Sequence, residues 1–159
     1  MDELAIQIIL GISVASVPLI FAAIGELVVE RSGVLNLGVE GMMIMGAIIG
    51  LVVQYHMGSG LLSVLAAMVA GMLMASIFAL LTQLLLTNHV ATGLALTLFG
   101  LGISAFIGKS YSEVTVTKIS AIHIPWLSDL PVIGSLVFGY DPLFYLAILI
   151  VFLVWWFLF

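Results

Sequence analysis

The chain has 159 residues, 64% of them hydrophobic and 7% charged, with a formal net charge of −5. Soluble domains carry roughly a quarter charged residues, so this composition, with a mean hydropathy of +1.41, excludes a water-soluble globule and fits the interior of a lipid bilayer. Three basic residues against eight acidic ones exclude nucleic acid as a partner, because a phosphate-binding surface needs clustered Lys and Arg.

The N-terminus, Met1-Asp2-Glu3, is acidic, whereas a secretory signal needs a basic start and a shorter apolar core. Residues 4–25 contain no Asp, Glu, Lys or Arg and read as a retained first span, kinked at Pro18. A polar stretch follows at 26–40, holding Glu26, Glu30, Arg31 and Glu40. Its turn chemistry is explicit: Ser32-Gly33 breaks a helix, Asn36 tolerates left-handed backbone, and Gly38 and Gly41 serve backbone geometry. Such a stretch between apolar runs is either a headgroup-level loop or an irregular segment lining a polar cavity. Glu26 and Glu30 lie one turn apart, and Arg31 is placed to neutralise either of them.

The second span, about 41–56, offers ~16 residues or ~24 Å of helix, short for a bilayer core of ~30 Å. That length fits a helix broken near Asn36–Gly41, as transporters use to build polar sites at membrane depth. Gly58-Ser59-Gly60 is a tight turn. The third span, about 61–86, places Ser63, Ala67, Gly71, Ala75 and Ala79 every fourth residue, a small-residue stripe for close helix packing. After the polar break Thr87-Asn88-His89, the fourth span, about 90–108, repeats the device with Gly100, Ser104 and Gly108.

Residues 109–142 change character. β-Branched and polar residues alternate near Val114–Thr117, then Pro125, Pro131, Gly134, Gly139 and Pro142 mark a surface loop with a hairpin or interfacial helix. Tyr111, Trp126 and Tyr140 suit the bilayer interface, and Asp129 and Asp141 read as solvated charges. The fifth span, 143–159, reads as cut off mid-helix. The fold expected is therefore an all-α polytopic membrane protein. It has about five transmembrane helices, is incomplete at the C-terminus, and forms one partial transmembrane domain over residues 1–159.

Catalytic motifs are not apparent. Gly108-Lys109-Ser110 lacks the upstream Gly of a phosphate-binding loop, which would fall at Ile103, and no strand precedes it. His56, His89 and His123 lack metal-ligand spacing, and without cysteine there is no thiolate site.

The string from Gly25 to Ala47, GELVVERSGVLNLGVEGMMIMGA, closely resembles permease subunits of bacterial ATP-binding-cassette importers. The nearest group serves nucleosides and simple sugars with basic-membrane-protein-type binding lipoproteins. The block from Asn88 to Gly102, NHVATGLALTLFGLG, looks like a second shared segment, and permeases for branched-chain amino acids and ribose share a looser version. The resemblance implies a non-enzymatic transmembrane subunit in the bacterial cytoplasmic membrane, corresponding to the N-terminal half of such a permease. It implies no cofactor here, with ATP and Mg bound by a partner ATPase. The other partners implied are a second permease subunit and an extracytoplasmic substrate-binding lipoprotein. It also places loop 109–142 outside and loop 26–40 inside.

Polar groups beside apolar spans mark a translocation path, so Asn36, Glu40, Asn88 and Thr92 are expected to line or shape it. Two alternatives stay open at this stage: an ion-coupled secondary carrier using Glu26, Glu30 and Glu40, and a non-transporting truncated remnant.

Overall fold

The computed structural model describes residues 3–116 and 140–159. Among these, helices are the only regular structure: α1 (Glu3–Arg31), α2 (Val39–Met57), α3 (Gly60–Ala79), α4 (His89–Gly108) and α5 (Pro142–Leu158). A π-helical turn, Leu80–Leu84, continues α3, and a 3-10 turn, Lys109–Tyr111, continues α4. Four helical stretches are long and apolar enough to cross a membrane: Gln7–Arg31, Val39–Met57, Gly60–Leu84 and His89–Tyr111. Pro142–Leu158 is apolar but shorter. The expected hairpin or interfacial helix, with His123, Trp126 and Asp129, lies outside the described residues.

The charges Glu26, Glu30 and Arg31 do not sit in a loop. They occupy the last turns of α1, which runs through Pro18 to Arg31. The helix ends as the Ser32-Gly33 pair dictates. Ser32 Oγ donates to Val29 O at 2.6 Å, Gly33 N–H donates to Glu30 O at 2.9 Å, and Gly33 adopts φ +85°, the left-handed cap that glycine accepts without a Cβ penalty. The irregular stretch between α1 and α2 is therefore only 32–38.

The chain divides into two compact units, Val29–Lys118 and Met1–Val28 with Ile119–Phe159. In the first, α2 packs antiparallel on α3 and parallel to α4. The α2–α3 seam is close because Ser63 Oγ donates to Gly50 O at 2.7 Å; Cβ atoms built at Gly46 and Gly50 would lie 3.3 Å from Ala67 O and Ser63 Oγ respectively. The parallel α2–α4 pairing follows from contacts that ascend both helices together: Gly38 with Gly93, Gly41 with Gly100, and Ile48 with Gly108, then His56 with Tyr111. The buried centre is Met74, Phe78 and Leu96, with Val34, Met42 and Met45 packed against it.

Among the described residues the small-residue stripe on α3 meets a neighbouring helix in its first half. Ser63 and Ala67 meet α2, but nothing lies within 4 Å of a Cβ built at Gly71, and Ala75 and Ala79 are exposed. Residues four apart advance about 40° beyond a full turn, so a strict every-fourth pattern drifts off the seam within a few turns. The buried line passes instead to Ala70, Met74 and Phe78. On α4, Gly100 and Gly108 face α2, and Ser104 is half-buried.

In the second unit, Asp141 is a helix cap rather than a solvated charge. Its Oδ1 accepts the Phe144 N–H at 3.0 Å, with Pro142 at the first helical position of α5, where its missing N–H costs nothing. Asp141→Ala should lower stability by about 1 kcal/mol, read as the melting temperature of the purified protein in detergent. Asp141→Asn, an equally good cap, should restore it, whereas a role as a plain charge predicts that Asn fails.

Candidate functional site

The segment Asn36-Leu37-Gly38 is non-helical backbone held inside the helix bundle. Asn36 is 7% exposed, and its Oδ1 accepts the Gly38 N–H at 2.9 Å, closing a side-chain turn two residues long. Its Nδ2 donates to Met42 Sδ at 3.8 Å. Gly38 caps α2 without a side-chain bond of its own. The asparagine satisfies the amide of the cap residue itself, one residue before the helix starts.

Helix α4 is shaped to receive this segment. A Cβ at Gly93 would lie 2.8 Å from Leu37 N and 2.9 Å from Gly38 N, closer than side chains approach, so only glycine admits the segment here. One turn further, Thr97 Oγ1 donates to Leu37 O at 2.9 Å. In hydrocarbon a backbone carbonyl without a partner is costly, and this hydroxyl supplies one. Gly93 and Thr97 lie about 6 Å and about 12 Å along α4 from its first residue, at 1.5 Å per residue. The irregular segment thus sits one to two turns inside the helical layer, as does the start of α2. Glu40, in the first turn of α2, is exposed and stands next to Gly41, which packs against Leu96 and Thr97.

At the same end of the unit, Asn88 is the N-cap of α4, its Oδ1 accepting the Ala91 N–H at 3.0 Å. It is exposed. Thr92 is 9% exposed, and its hydroxyl shares a 2.8 Å hydrogen bond with Thr87 Oγ1. Thr87 Oγ1 is also 2.9 Å from Leu81 O in the π turn, and the next residue back, Leu86, holds a left-handed φ of 52°, rare for a leucine. Of the four path residues expected, Asn36 and Thr92 are buried with different partners, Gly38 and Met42 for Asn36 and Thr87 for Thr92, while Glu40 and Asn88 are exposed near the starts of two parallel helices. Glu26, Glu30 and Arg31 belong to the end of α1.

The sequence reading missed Thr97 and Gly93. Both carried a signal: with Gly100 they place small and polar residues three or four apart in an otherwise apolar helix, on the face that meets α2. Away from this region, an open groove of about 640 Å³ runs beside Met45, Ile49, Leu65, Val69 and Leu73. Its lining is wholly apolar, which suits lipid or another helix and not a polar solute. At the far end, His56 Nε2 lies 3.0 Å from Tyr111 Oη and Tyr55 meets Tyr111 edge-on, tying the ends of α2 and α4 at an interface-like site. Among the described residues no group of three or more His, Cys, Asp or Glu could hold a metal ion.

Three curated relatives are similar over nearly all of this chain. The putative glucose ABC transporter permease protein of Haloferax volcanii is 39% identical over 149 residues, covering 91% of this chain and 45% of the relative. The guanosine ABC transporter permease protein of Bacillus subtilis is 35% identical over 160 residues, 92% of this chain and 50% of its own length. The nucleoside ABC transporter permease protein of Lactococcus lactis is 32% identical over 163 residues, 96% of this chain and 51% of its own length. The chain thus spans about half the length of the curated relatives it matches. No solved structure matches it. With its helices apolar and long enough to span and residues 8–159 matching the family model, this multi-pass membrane chain belongs to the family described as branched-chain amino acid transport system / permease component.

Proposed function

We propose that this chain is part of a permease subunit of an ATP-driven importer in the cytoplasmic membrane, moving a nucleoside, a sugar or a related small polar solute. The observation that carries this reading is the non-helical Asn36-Leu37-Gly38 segment between two spans, with Asn36 and Gly38 buried against the helices and the Leu37 side chain exposed. Irregular backbone at membrane depth is tolerated only inside protein or beside a water-filled path, and transporters build their solute sites from such interrupted helices. Relatives named for guanosine, nucleoside and glucose transport support the solute class.

In this reading the permease contributes no chemistry. ATP and Mg bind a separate ATPase subunit, which rocks this permease and a second permease subunit between inward- and outward-open states. An extracytoplasmic binding lipoprotein delivers the solute. Asn36 shapes the path, and Glu40, an ionisable group close to the depth of Leu96, marks it. Asn88 and Thr92 shape its mouth at the start of α4.

Uptake of labelled guanosine and glucose by cells carrying the intact importer tests the energy source. Uptake of either that stops on ATP depletion and survives a protonophore is the expected result. The reverse pattern would overturn the importer reading in favour of an ion-coupled carrier using the Glu26, Glu30 and Glu40 carboxylates.

A further inference from the structure

Thr97 has a hydroxyl that its own helix does not employ. A threonine inside a helix commonly donates to the carbonyl four residues back, and Thr82 does so, donating to Phe78 O at 2.8 Å. Thr97 instead reaches across 60 residues of chain to Leu37 O at 2.9 Å, from a position only 9% exposed. Its acceptor is the carbonyl immediately before the cap of α2, in the segment where regular helical bonding is suspended. Gly93, one turn earlier on α4, gives up its side chain so that the Leu37 and Gly38 amides lie close, and Gly100, three residues later, does the same for Gly41. Glycine contacts press the two backbones together without fixing direction. The hydroxyl adds the directional bond between them.

We infer that Thr97 is a positioning residue for transport: its hydroxyl holds the Leu37 carbonyl, and through it the Asn36–Gly38 segment, in the register that the solute path needs. This deepens the proposed function and rests on that reading of the 36–38 segment. Thr97 itself touches the segment's backbone and not the solute, so its removal should slow the transport cycle more than it weakens solute affinity. A 36–38 segment that has lost this bond to α4 would sample other orientations, and each would lower the fraction of permeases ready to carry solute.

The test compares Thr97→Val, Thr97→Ser and Asn36→Ala in the intact importer, with initial uptake rates normalised to permease abundance in the membrane. Thr97→Val keeps shape and removes the donor. It should lower maximal uptake about three- to tenfold, the range that one membrane-buried hydrogen bond supports, with KM changed by less than about twofold. Thr97→Ser should recover most of the rate. In an intact importer freed of any other reactive cysteine, Leu37→Cys provides a second readout: adding Thr97→Val should accelerate its modification by a membrane-permeant thiol reagent, and adding Thr97→Ser should not. If Thr97→Val does not accumulate, Thr97→Ala is read by the same labelling.

Wild-type uptake in Thr97→Val alongside impaired Asn36→Ala would overturn the inference and leave the site reading standing. Unchanged uptake in both would overturn the site reading beneath it. A Ser variant as slow as Val, or labelling that does not respond to loss of the hydroxyl, would show that the hydrogen bond is not what acts.

Discussion

Alanine at Gly41 or Gly100 should cut accumulation of the folded permease about tenfold or more, whereas alanine at Gly71 or Gly102 should leave it at or above the wild-type level. All four are helical glycines, so local propensity alone predicts the same sign at each, a gain of up to about 1 kcal/mol. The structure separates them. A Cβ at Gly41 would lie 2.7 Å from both Leu96 O and Thr97 Cα, and one at Gly100 would lie 2.6 Å from Gly41 O and 2.8 Å from Gly41 Cα. These obstacles are backbone atoms of a facing helix, which have no rotamer to change. The only relief is to part α2 from α4, and that would also stretch the Thr97–Leu37 bond and loosen the seat of the 36–38 segment. Overpacking where side chains can yield costs about 1–3 kcal/mol, and here the cost should reach or exceed the top of that range. Cells clear destabilised protein so that even about 1–2 kcal/mol changes abundance several-fold, and a loss of about 3 kcal/mol or more should cut detergent-extractable folded protein about tenfold or more. Among the described residues nothing lies within 4 Å of a Cβ at Gly71 or Gly102, so the contacts they make leave only the propensity gain there. Normal accumulation of Gly41→Ala or Gly100→Ala would show that α2 and α4 do not meet backbone to backbone.

The two facing glycines also show where sequence reading reaches and where it stops. Apolar runs broken by turn residues made the helical membrane class and the order of the spans legible, because a bilayer forces ~20-residue apolar helices. What one chain position does cannot be read so directly. Gly38 and Gly41 read from sequence as positions for a turn or a close backbone approach, without saying which; Gly38 caps α2, and Gly41, inside α2, makes the close approach to α4. The charges of Glu26, Glu30 and Arg31 look like loop charges, yet the helix continues beneath them until Ser32-Gly33 stops it. Asp141 before Pro142 is a helix-start signature that local pattern alone could have identified. The Thr97–Leu37 bond could not be identified this way. Nothing in local sequence tells a hydroxyl whether to bond its own helix, as Thr82 does, or a segment 60 residues away. That choice is made by the parallel docking of α2 on α4, a tertiary fact. The candidate site was half legible for the same reason: Asn36 stands out by type, while Gly93 and Thr97, which seat it, have meaning only once the helices are placed.

Asn36→Ala should lower uptake by the intact importer about tenfold or more while the permease still accumulates. The side chain is buried and its Oδ1 is the acceptor for the Gly38 N–H, at a cap whose own residue has no side chain. Alanine removes that acceptor and strips one bond from a buried amide, a loss of about 1–3 kcal/mol. The loss falls at the turn rather than in the helix packing, since the glycine contacts, the Thr97 bond and the Met74–Phe78–Leu96 centre remain. A local loss of that size releases a segment without melting the bundle, so function should suffer more than abundance. Asn36→Ser can re-form the turn through its hydroxyl, more weakly, and should recover part of the rate. Asn88→Ala provides the contrast, because Asn88 caps α4 from an exposed position and its loss should cost only about 1 kcal/mol, repaired by Asp at the same place. If Asn36→Ala transports normally, the buried turn is only a connector between two spans, and the solute path must be sought elsewhere in the protein. If Asn36→Ala fails and Ser rescues it, the acceptor atom over Gly38 is the feature that transport requires.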